Sequence, residues 1–437
     1  MSKIREAIIL NFLFPLADKL MGTCAMKWYG QIKLMNTWSK EQIDNWQNKQ
    51  LQVFIRHAYD NTVYYKNLFD ELGLTPDDIK TKEDLKKLPI INKDIVNKNY
   101  ENLIPSNIKQ IRYRKARTGG TTGEPMRYLC DENTWGYVTG AKIYAWKKTG
   151  YHYADKFVAL GSSSLFSKKP SFPRRIYDKM RNEIALNGIN LSDEICECYV
   201  EIIKKKKVRF LYGYAASLYL LAKYVDTNGI DLKMDVVFTT SEKLTDIYRE
   251  KIIKAFHCKV MDCYGAKDAG ITAFEIEKGI YPISYNSIAE TLNDKKGGSG
   301  KLLTTNVLNY AFPLIRYEFG DEAVLSNNYK NYNGQVLLDI IGRSSDVIIL
   351  KNGNKITGPG FTVLMKPFDV EAYQIRQISD REIELDILPG ESFDKNQESI
   401  IFDEVLRFLG KDCILKIIYV DKFEPLKNGK RRYFMVE

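Results

Sequence analysis

Apolar positions along this chain recur at helical spacing first and at strand spacing later. Ile43, Trp46, Val53, Phe54 and Ala58 recur at roughly helical spacing, which predicts helices through residues 39–99. Ser39 with Gln42 has the S-x-x-Q form of a capping box, in which each side chain satisfies an unpaired backbone N–H at a helix start. Thr75-Pro76-Asp77-Asp78 opens a further short helix, with proline where a helical N–H would be unbonded anyway. Ahead of these, Ala7 to Ala17 is almost wholly apolar. It is too short to span a bilayer, and Pro15 interrupts it. The expectation is a docked amphipathic helix. Contact with a membrane surface through Phe12, Leu13, Phe14 and Met21 is the alternative.

From residue 100 the pattern becomes α/β. Helices are predicted over Glu132–Lys148 and over Ala215–Val225, the latter stopped by Asn228-Gly229. Asp235–Thr240 reads as a buried strand, Leu244–Phe256 as an amphipathic helix and Lys259–Cys263 as a second strand ending at Tyr264-Gly265. A crossover this compact makes the two strands parallel, and ligands of such sheets lie beyond the carboxyl ends of the strands. Ser241-Glu242 and Tyr264-Gly265 stand at those ends. Further on, Lys301–Thr305 and the stretch around Gly342-Arg343 read as strands, and Lys351-Asn352-Gly353-Asn354 as a hairpin turn. The C-terminal part is mixed: strand at Ile383–Leu388, helix at Glu398–Leu409, strand at Leu415–Val420.

Composition narrows the class. A chain of 437 residues predicts two or three domains, and 44% hydrophobic with 27% charged residues is ordinary for a globular protein. Seven scattered cysteines form no disulfide framework, which fits a reducing, cytoplasmic setting. Cys196-Glu197-Cys198, His257-Cys258 and Cys263 match no zinc spacing. The net charge is +10, yet no basic stripe interleaved with aromatics stands out, so nucleic acid is not expected as a partner. The run Lys204–Lys207 suits a helix C-terminus, where cations meet the negative end of the dipole.

Thr118-Gly119-Gly120-Thr121-Thr122-Gly123-Glu124-Pro125 carries the chemistry. Glycines let the backbone approach a ligand, and successive N–H groups with threonine hydroxyls make a donor-rich cradle for phosphate. No Gly-Lys-Ser/Thr follows, so this is not a Walker loop, and by itself it could equally be a surface turn.

In order and spacing, this loop and later segments resemble the adenylate-forming enzymes, in particular the phenylacetate–CoA ligase and CapK-like branch. The loop resembles that family's β,γ-phosphate loop, with Glu124 where lysine is common. Ser241-Glu242 and Tyr264-Gly265-Ala266-Lys267-Asp268 resemble its Gly-Glu and Tyr-Gly-x-x-Glu segments, in which the tyrosine packs on adenine and the acid holds Mg²⁺; here Asp268 replaces glutamate. Leu303-Thr304-Thr305 and Pro313-Leu314-Ile315-Arg316-Tyr317 followed by Asp321 resemble the segment whose aspartate takes the ribose hydroxyls. Gly342-Arg343-Ser344-Ser345-Asp346 resembles the hinge, with Ser345 in place of an acid, and Lys430 falls where the family has its catalytic lysine.

The resemblance implies an α/β fold. A large N-terminal adenylation domain, residues 1–345, would have mostly parallel sheets and a helical extension over about residues 1–100. A small mobile α+β lid, residues 346–437, would follow. It implies catalysis by Lys430 and Arg343, and ATP binding by Thr118, Gly119, Gly120, Thr121, Thr122, Gly123, Ser241, Glu242, Tyr264, Gly265, Asp321 and Arg343. Asp268 would hold Mg²⁺, and Tyr212, Gly213 and Ser241 would line the acid pocket. The reaction would be ATP-dependent conversion of a carboxylic acid to an acyl-AMP, then transfer to CoA or to an amine of an amino acid or sugar, in polysaccharide biosynthesis. Two alternatives stay open. One is AMP transfer to a coenzyme hydroxyl; the other is an inactive nucleotide-binding or membrane-docked partner protein.

Overall fold

The computed structural model describes residues 2–118, 126–153, 155–161, 181–188, 191–241, 244, 246–292, 299–330, 332–343, 347–349, 355–357, 364–365, 368, 370–389, 393–410, 413–421 and 434–436. Helices α1 (Ser2–Ile8) and α2 (Phe14–Met21) are joined by a π-helical turn, Ile9–Leu13. Pro15 does not break this segment. It lies in the first turn of α2, and the wide turn before it accommodates a nitrogen that cannot donate. Ile9, Leu10 and Phe14 pack with Ala25, Ile143 and Tyr153, as expected of a docked helix, so Phe14 is a core residue and not one of the interface residues of the alternative reading. Helices α3 (Ala25–Met35), α4 (Lys40–Asn61) and α5 (Val63–Leu72) follow, and the Ser39–Gln42 capping box forms at the start of α4. α4 buries Ile43, Gln47, Leu51, Phe54, Ile55 and Ala58, while Val53 is 52% exposed because it falls beside that stripe. Thr75-Pro76-Asp77-Asp78 makes only a single 3₁₀ turn. Strand β1 (Ile91–Asn92) and helix α6 (Lys93–Lys98) complete this region.

Strands β2 (Tyr113–Arg117) and β3 (Arg127–Asp131) form an antiparallel hairpin, and α7 (Glu132–Lys148) starts directly after it. Asp131 caps α7 by accepting from the Asn133 N–H at 2.7 Å. The next six strands are β4 (Phe157–Gly161), β5 (Glu183–Asn187), β6 (Phe210–Tyr214), β7 (Val236–Thr240), β8 (Lys259–Ala266) and β9 (Ile271–Phe274). They form one sheet in the order β5-β4-β6-β7-β8-β9, parallel except for β9. Helices α8 (Asp193–Lys206), α9 (Ala215–Thr227) and α10 (Asp246–Phe256) provide the crossovers, and Lys207 ends α8 in a left-handed conformation. One core joins these helices to Val158, Leu160, Leu211 and Val237; a second, aromatic core joins Trp146 of α7 to Phe157, Phe210 and Phe238. Burial on both faces explains why these strands read as continuous apolar runs.

A second sheet contains β10 (Ile280–Pro282), β11 (Ser287–Leu292), β12 (Gly300–Asn306), β13 (Tyr317–Ser326) and β14 (Val336–Arg343), in the order β10-β14-β13-β12-β11, with β1 beside β13. β10–β14 and β11–β12 are antiparallel and β1–β13 is parallel. The expectation of mostly parallel sheets therefore describes the first sheet, and in the second the β10–β14 and β11–β12 pairs depart from it. The β11–β12 connection is too short for the crossover a parallel pair requires.

The chain divides into two compact units: Met1–Arg117, Arg127–Phe319 and Val324–Asp339 in one; Thr118–Met126, Gly320–Ala323 and Ile340–Glu437 in the other. In the second unit β15 (Val347–Ile349) pairs antiparallel with β16 (Lys355–Thr357). The turn expected at 351–354 lies outside the described residues. β17 (Val370–Gln377), β18 (Glu382–Pro389), β19 (Ile414–Tyr419) and β20 (Phe434–Val436) form a sheet in the order β19-β18-β17-β20. α11 (Lys395–Leu409) covers it with Ile401, Val405 and Leu409 packed on Ile375, Ile383, Leu385 and Ile387.

Candidate nucleotide and acid site

In sequence the glycine- and threonine-rich segment joins β2 to β3. The strands stay in register up to Arg117 opposite Arg127. Beyond them the Thr118 N–H donates to the Met126 carbonyl at 2.9 Å, and the Met126 N–H donates to Thr118 Oγ1 at 2.9 Å. Thr118 thus closes the loop's base with both its backbone and its side chain. Gly119, Gly120, Thr121, Thr122, Gly123 and Glu124 lie outside the described residues.

The parallel register brings the next set together. Thr240 of β7 is level with Tyr214 of β6 and Cys263 of β8, so Ser241 and Tyr264 follow as adjacent positions at the carboxyl edge of the sheet. Ser241 is exposed and has φ 69°, a left-handed conformation that a non-glycine residue adopts at a cost of about 1 kcal/mol. Glu242 lies outside the described residues. Tyr264 is half-buried and Gly265 exposed, opposite Ala273 and Thr272 of β9. Gly213 is a packing residue: a Cβ there would lie 2.2 Å from the Leu160 carbonyl oxygen. Its neighbour Tyr212 is half-buried, with its ring centroid 5.2 Å from that of Trp146.

The turn after β8 carries Asp268, and four side chains hold it. Thr304 Oγ1 donates to the Ala269 carbonyl at 2.8 Å; Ser287 Oγ and Asn286 Nδ2 donate to the Gly270 carbonyl at 2.9 and 3.1 Å. The Tyr317 hydroxyl donates to Asp268 Oδ2 at 3.0 Å. Thr305 Oγ1 accepts from the Arg316 N–H at 3.0 Å. Arg316, at φ 54°, directs its guanidinium onto Glu290, with nitrogen–oxygen distances of 3.0–3.2 Å. The Leu-Thr-Thr and Ile-Arg-Tyr segments therefore brace the Tyr264–Asp268 segment, a role that their spacing alone does not disclose. Beneath it Asp262 accepts from Thr239 Oγ1 at 2.6 Å and from the Tyr281 hydroxyl at 3.0 Å, and burial raises its pKa to about 6.

Lys142 is the residue that sequence reasoning missed. Its ammonium lies 3.6 Å from the Tyr212 ring centroid and 4.3 Å from that of Trp146. Burial, assisted by the Arg181 cation, pushes its pKa down to about 7. The available signal was a lysine set among Gly140, Ala141, Ile143, Ala145 and Trp146, all buried residues of α7.

Asp321 is half-buried within β13, next to Gly320 at φ 91°. Arg343 ends β14; its side chain, like Ser345 and Lys430, lies outside what is described. Of the predicted residues, Thr118, Asp321 and Arg343 fall in the second unit, and Tyr212, Gly213, Ser241, Tyr264, Gly265 and Asp268 in the first. A cavity of about 470 Å³ touches none of them. It sits by Cys24, His57, Arg112 and Asp131, at the end of the β2–β3 hairpin away from the loop. All seven cysteines are free thiols, and among the described residues no group of three or more His, Cys, Asp or Glu could hold a metal ion.

Residues 348–437 match the family model described as the CapK C-terminal domain. Protein CapK of Staphylococcus aureus is 24% identical over 400 residues, spanning 89% of this chain and 88% of that protein. The chain is thus similar over most of its length to adenylate-forming, CapK-like enzymes. Its reaction class is AMP-forming ligation. The phenylacetate–coenzyme A ligase of Pseudomonas putida is 26% identical over 365 residues, with 79% of each chain covered. The fold agrees with that of the family: a 2-hydroxyisobutyryl-CoA ligase, crystallised in the postadenylation state, superposes with a TM-score of 0.64 at 16% identity, covering 90% of this chain and 89% of that one.

Proposed function

We propose that the enzyme activates a carboxylic acid with ATP and transfers the acyl group to CoA. In the first step a carboxylate oxygen attacks the α-phosphorus and pyrophosphate leaves, giving an acyl-AMP. In the second the thiolate of CoA attacks the acyl carbonyl and AMP leaves. Neither step needs a protein nucleophile, so positioning and charge stabilisation carry the catalysis. The observation that supports this reading best is the braced turn: Asp268 follows Tyr264 beyond the carboxyl edge of a parallel sheet, and its turn is held by Thr304 bonded to the Ala269 carbonyl and Tyr317 bonded to Asp268.

On this reading the Gly119–Gly123 backbone cradles the β- and γ-phosphates, Tyr264 with Gly265 meets the adenine, and Asp321 takes the ribose hydroxyls. Arg343 and Lys430 meet the α-phosphate. Asp268 is a hard oxygen donor, and one carboxylate together with substrate phosphates suits magnesium. When bound, the ion would offset charge on the departing pyrophosphate. The acid would lie near Tyr212 and Ser241, with Lys142 close enough to Tyr212 to favour an anionic group.

CoA is taken as the acceptor because the phenylacetate–coenzyme A ligase of Pseudomonas putida aligns over most of the chain. Exchange of labelled pyrophosphate into ATP, measured across a panel of carboxylic acids, tests the first step. Acid-dependent exchange is expected. No exchange with any acid, from protein shown to be folded, would overturn the reading. CoA consumption with thioester formation tests the second step; an acyl-amide formed only with added amines would replace the thiol acceptor by an amine.

A further inference from the structure

Three features outside the proposed site stand out: the cavity beside His57, the buried Asp262–Glu275–Arg249 network, and the outer face of the N-terminal helical segment. The last carries an inference furthest. Ile4, Ile8, Phe12, Leu16 and Leu20 form an i, i+4 row, and Leu13 lies beside it. All six are exposed: Ile4 by 72%, Phe12 by 70% and Leu20 by 78%, with the others between 43% and 54%. On a regular α-helix an i+4 row drifts by roughly 40° per step. The wider π turn at Ile9–Leu13 counters that drift and keeps the row on one side.

The charges are sorted as well. Both acidic side chains of the segment point inward. Glu6 is buried against Lys147, His152 and the Tyr153 N–H; Asp18 is buried against Thr23 and the Met26 N–H. The cations Arg5 and Lys19 are exposed near the two ends of the apolar row. A face of large apolar side chains with cations at both ends, and with its acids withdrawn, is complementary to an anionic lipid surface. The segment is about 30 Å long, enough to lie along such a surface. No helix among the described residues is long and apolar enough to cross a membrane.

We propose that the outer face of residues 4–20 seats this enzyme on the surface of an anionic phospholipid bilayer. The test is co-sedimentation of the full chain with vesicles of phosphatidylcholine alone, or mixed with an equal part of phosphatidylglycerol. Binding is expected to the mixed vesicles and to weaken with added salt. The double variant Phe12→Glu, Leu16→Glu should lower the bound fraction about tenfold or more. Arg5→Gln with Lys19→Gln should weaken binding to the mixed vesicles only. None of these positions is in the core or the proposed site, so circular dichroism and pyrophosphate exchange without vesicles should match the parent chain. The proposal fails if the parent chain does not sediment with mixed vesicles, or if the Phe12→Glu, Leu16→Glu variant binds as well as the parent. It also fails if light scattering shows a parent dimer that this variant turns to monomer while vesicle binding is absent; a second copy would then cover the face.

Discussion

Lys142 is an ammonium held over two aromatic rings, where desolvation disfavours its charge and the ring quadrupoles only partly compensate. Its pKa is lowered from 10.5 to about 7, so the charged fraction falls as pH rises through neutrality. If that charge helps to hold an anionic acid beside Tyr212, the KM for the acid should rise between pH 7 and about 8.5 in the parent enzyme. In Lys142→Met it should be higher at neutral pH and flat, with the KM for ATP unchanged. The fold should respond in the opposite sense. The unfolded chain holds the extra proton between pH 7 and 10.5, so stability rises with pH across that window and the penalty from Lys142 is largest below it. Lys142→Met should therefore melt above the parent at pH 6, and the two should converge toward pH 10. An acid KM equal to the parent's at every pH would place Lys142 outside the acid site.

Helices α3 and α7 meet through two glycines one turn apart, Gly136 and Gly140. A Cβ on Gly140 would lie 2.7 Å from the Tyr29 nitrogen and 3.0 Å from the Ala25 carbonyl oxygen, both backbone atoms that cannot turn aside. Gly140→Val should therefore force the helices apart and destabilise by about 3 kcal/mol, read as a lower urea midpoint. Gly30, in the middle of α3, has no atom within 4 Å of a Cβ, so Gly30→Ala should stabilise by about 0.5–1 kcal/mol. The same region separates what the sequence discloses from what it hides. The bounds of α7 and the β7–α10–β8 crossover were legible because local apolar spacing sets them. The Ser39–Gln42 capping box was legible because both partners lie within one turn. The α3–α7 seam joins residues more than 100 positions apart, and the Thr304–Ala269 and Tyr317–Asp268 bonds span 35 and 49. Each motif was visible alone, but the bracing between motifs depends on strand order in two sheets. Lys142 was hidden for a related reason. Only the stacking of α7 on β6 and β7 puts its ammonium over Tyr212.

Over the whole molecule the predicted residues fall in both units. The first unit contributes Tyr212, Ser241, Tyr264 and the carboxylate Asp268; the second contributes the phosphate loop's base at Thr118, with Asp321, Arg343 and the segment numbered through Lys430. If Lys430 is the cation that meets negative charge building between carboxylate and α-phosphate, it matters to the first step alone, because the thioester step breaks a bond from acyl carbon to oxygen and leaves AMP intact. Lys430→Ala should then lower pyrophosphate exchange about 10²–10³-fold, the usual loss for one preorganised transition-state donor. ATP affinity, measured by fluorescence or calorimetry, should stay within a few-fold of the parent, since a contact made chiefly in the transition state adds little to ground-state binding. Synthetic acyl-AMP supplied with CoA should still give thioester at nearly the parent rate. An equal loss in both half-reactions would instead mark Lys430 as a residue that supports the fold of its unit. Exchange at the parent rate would move the α-phosphate cation to another residue, Arg343 first.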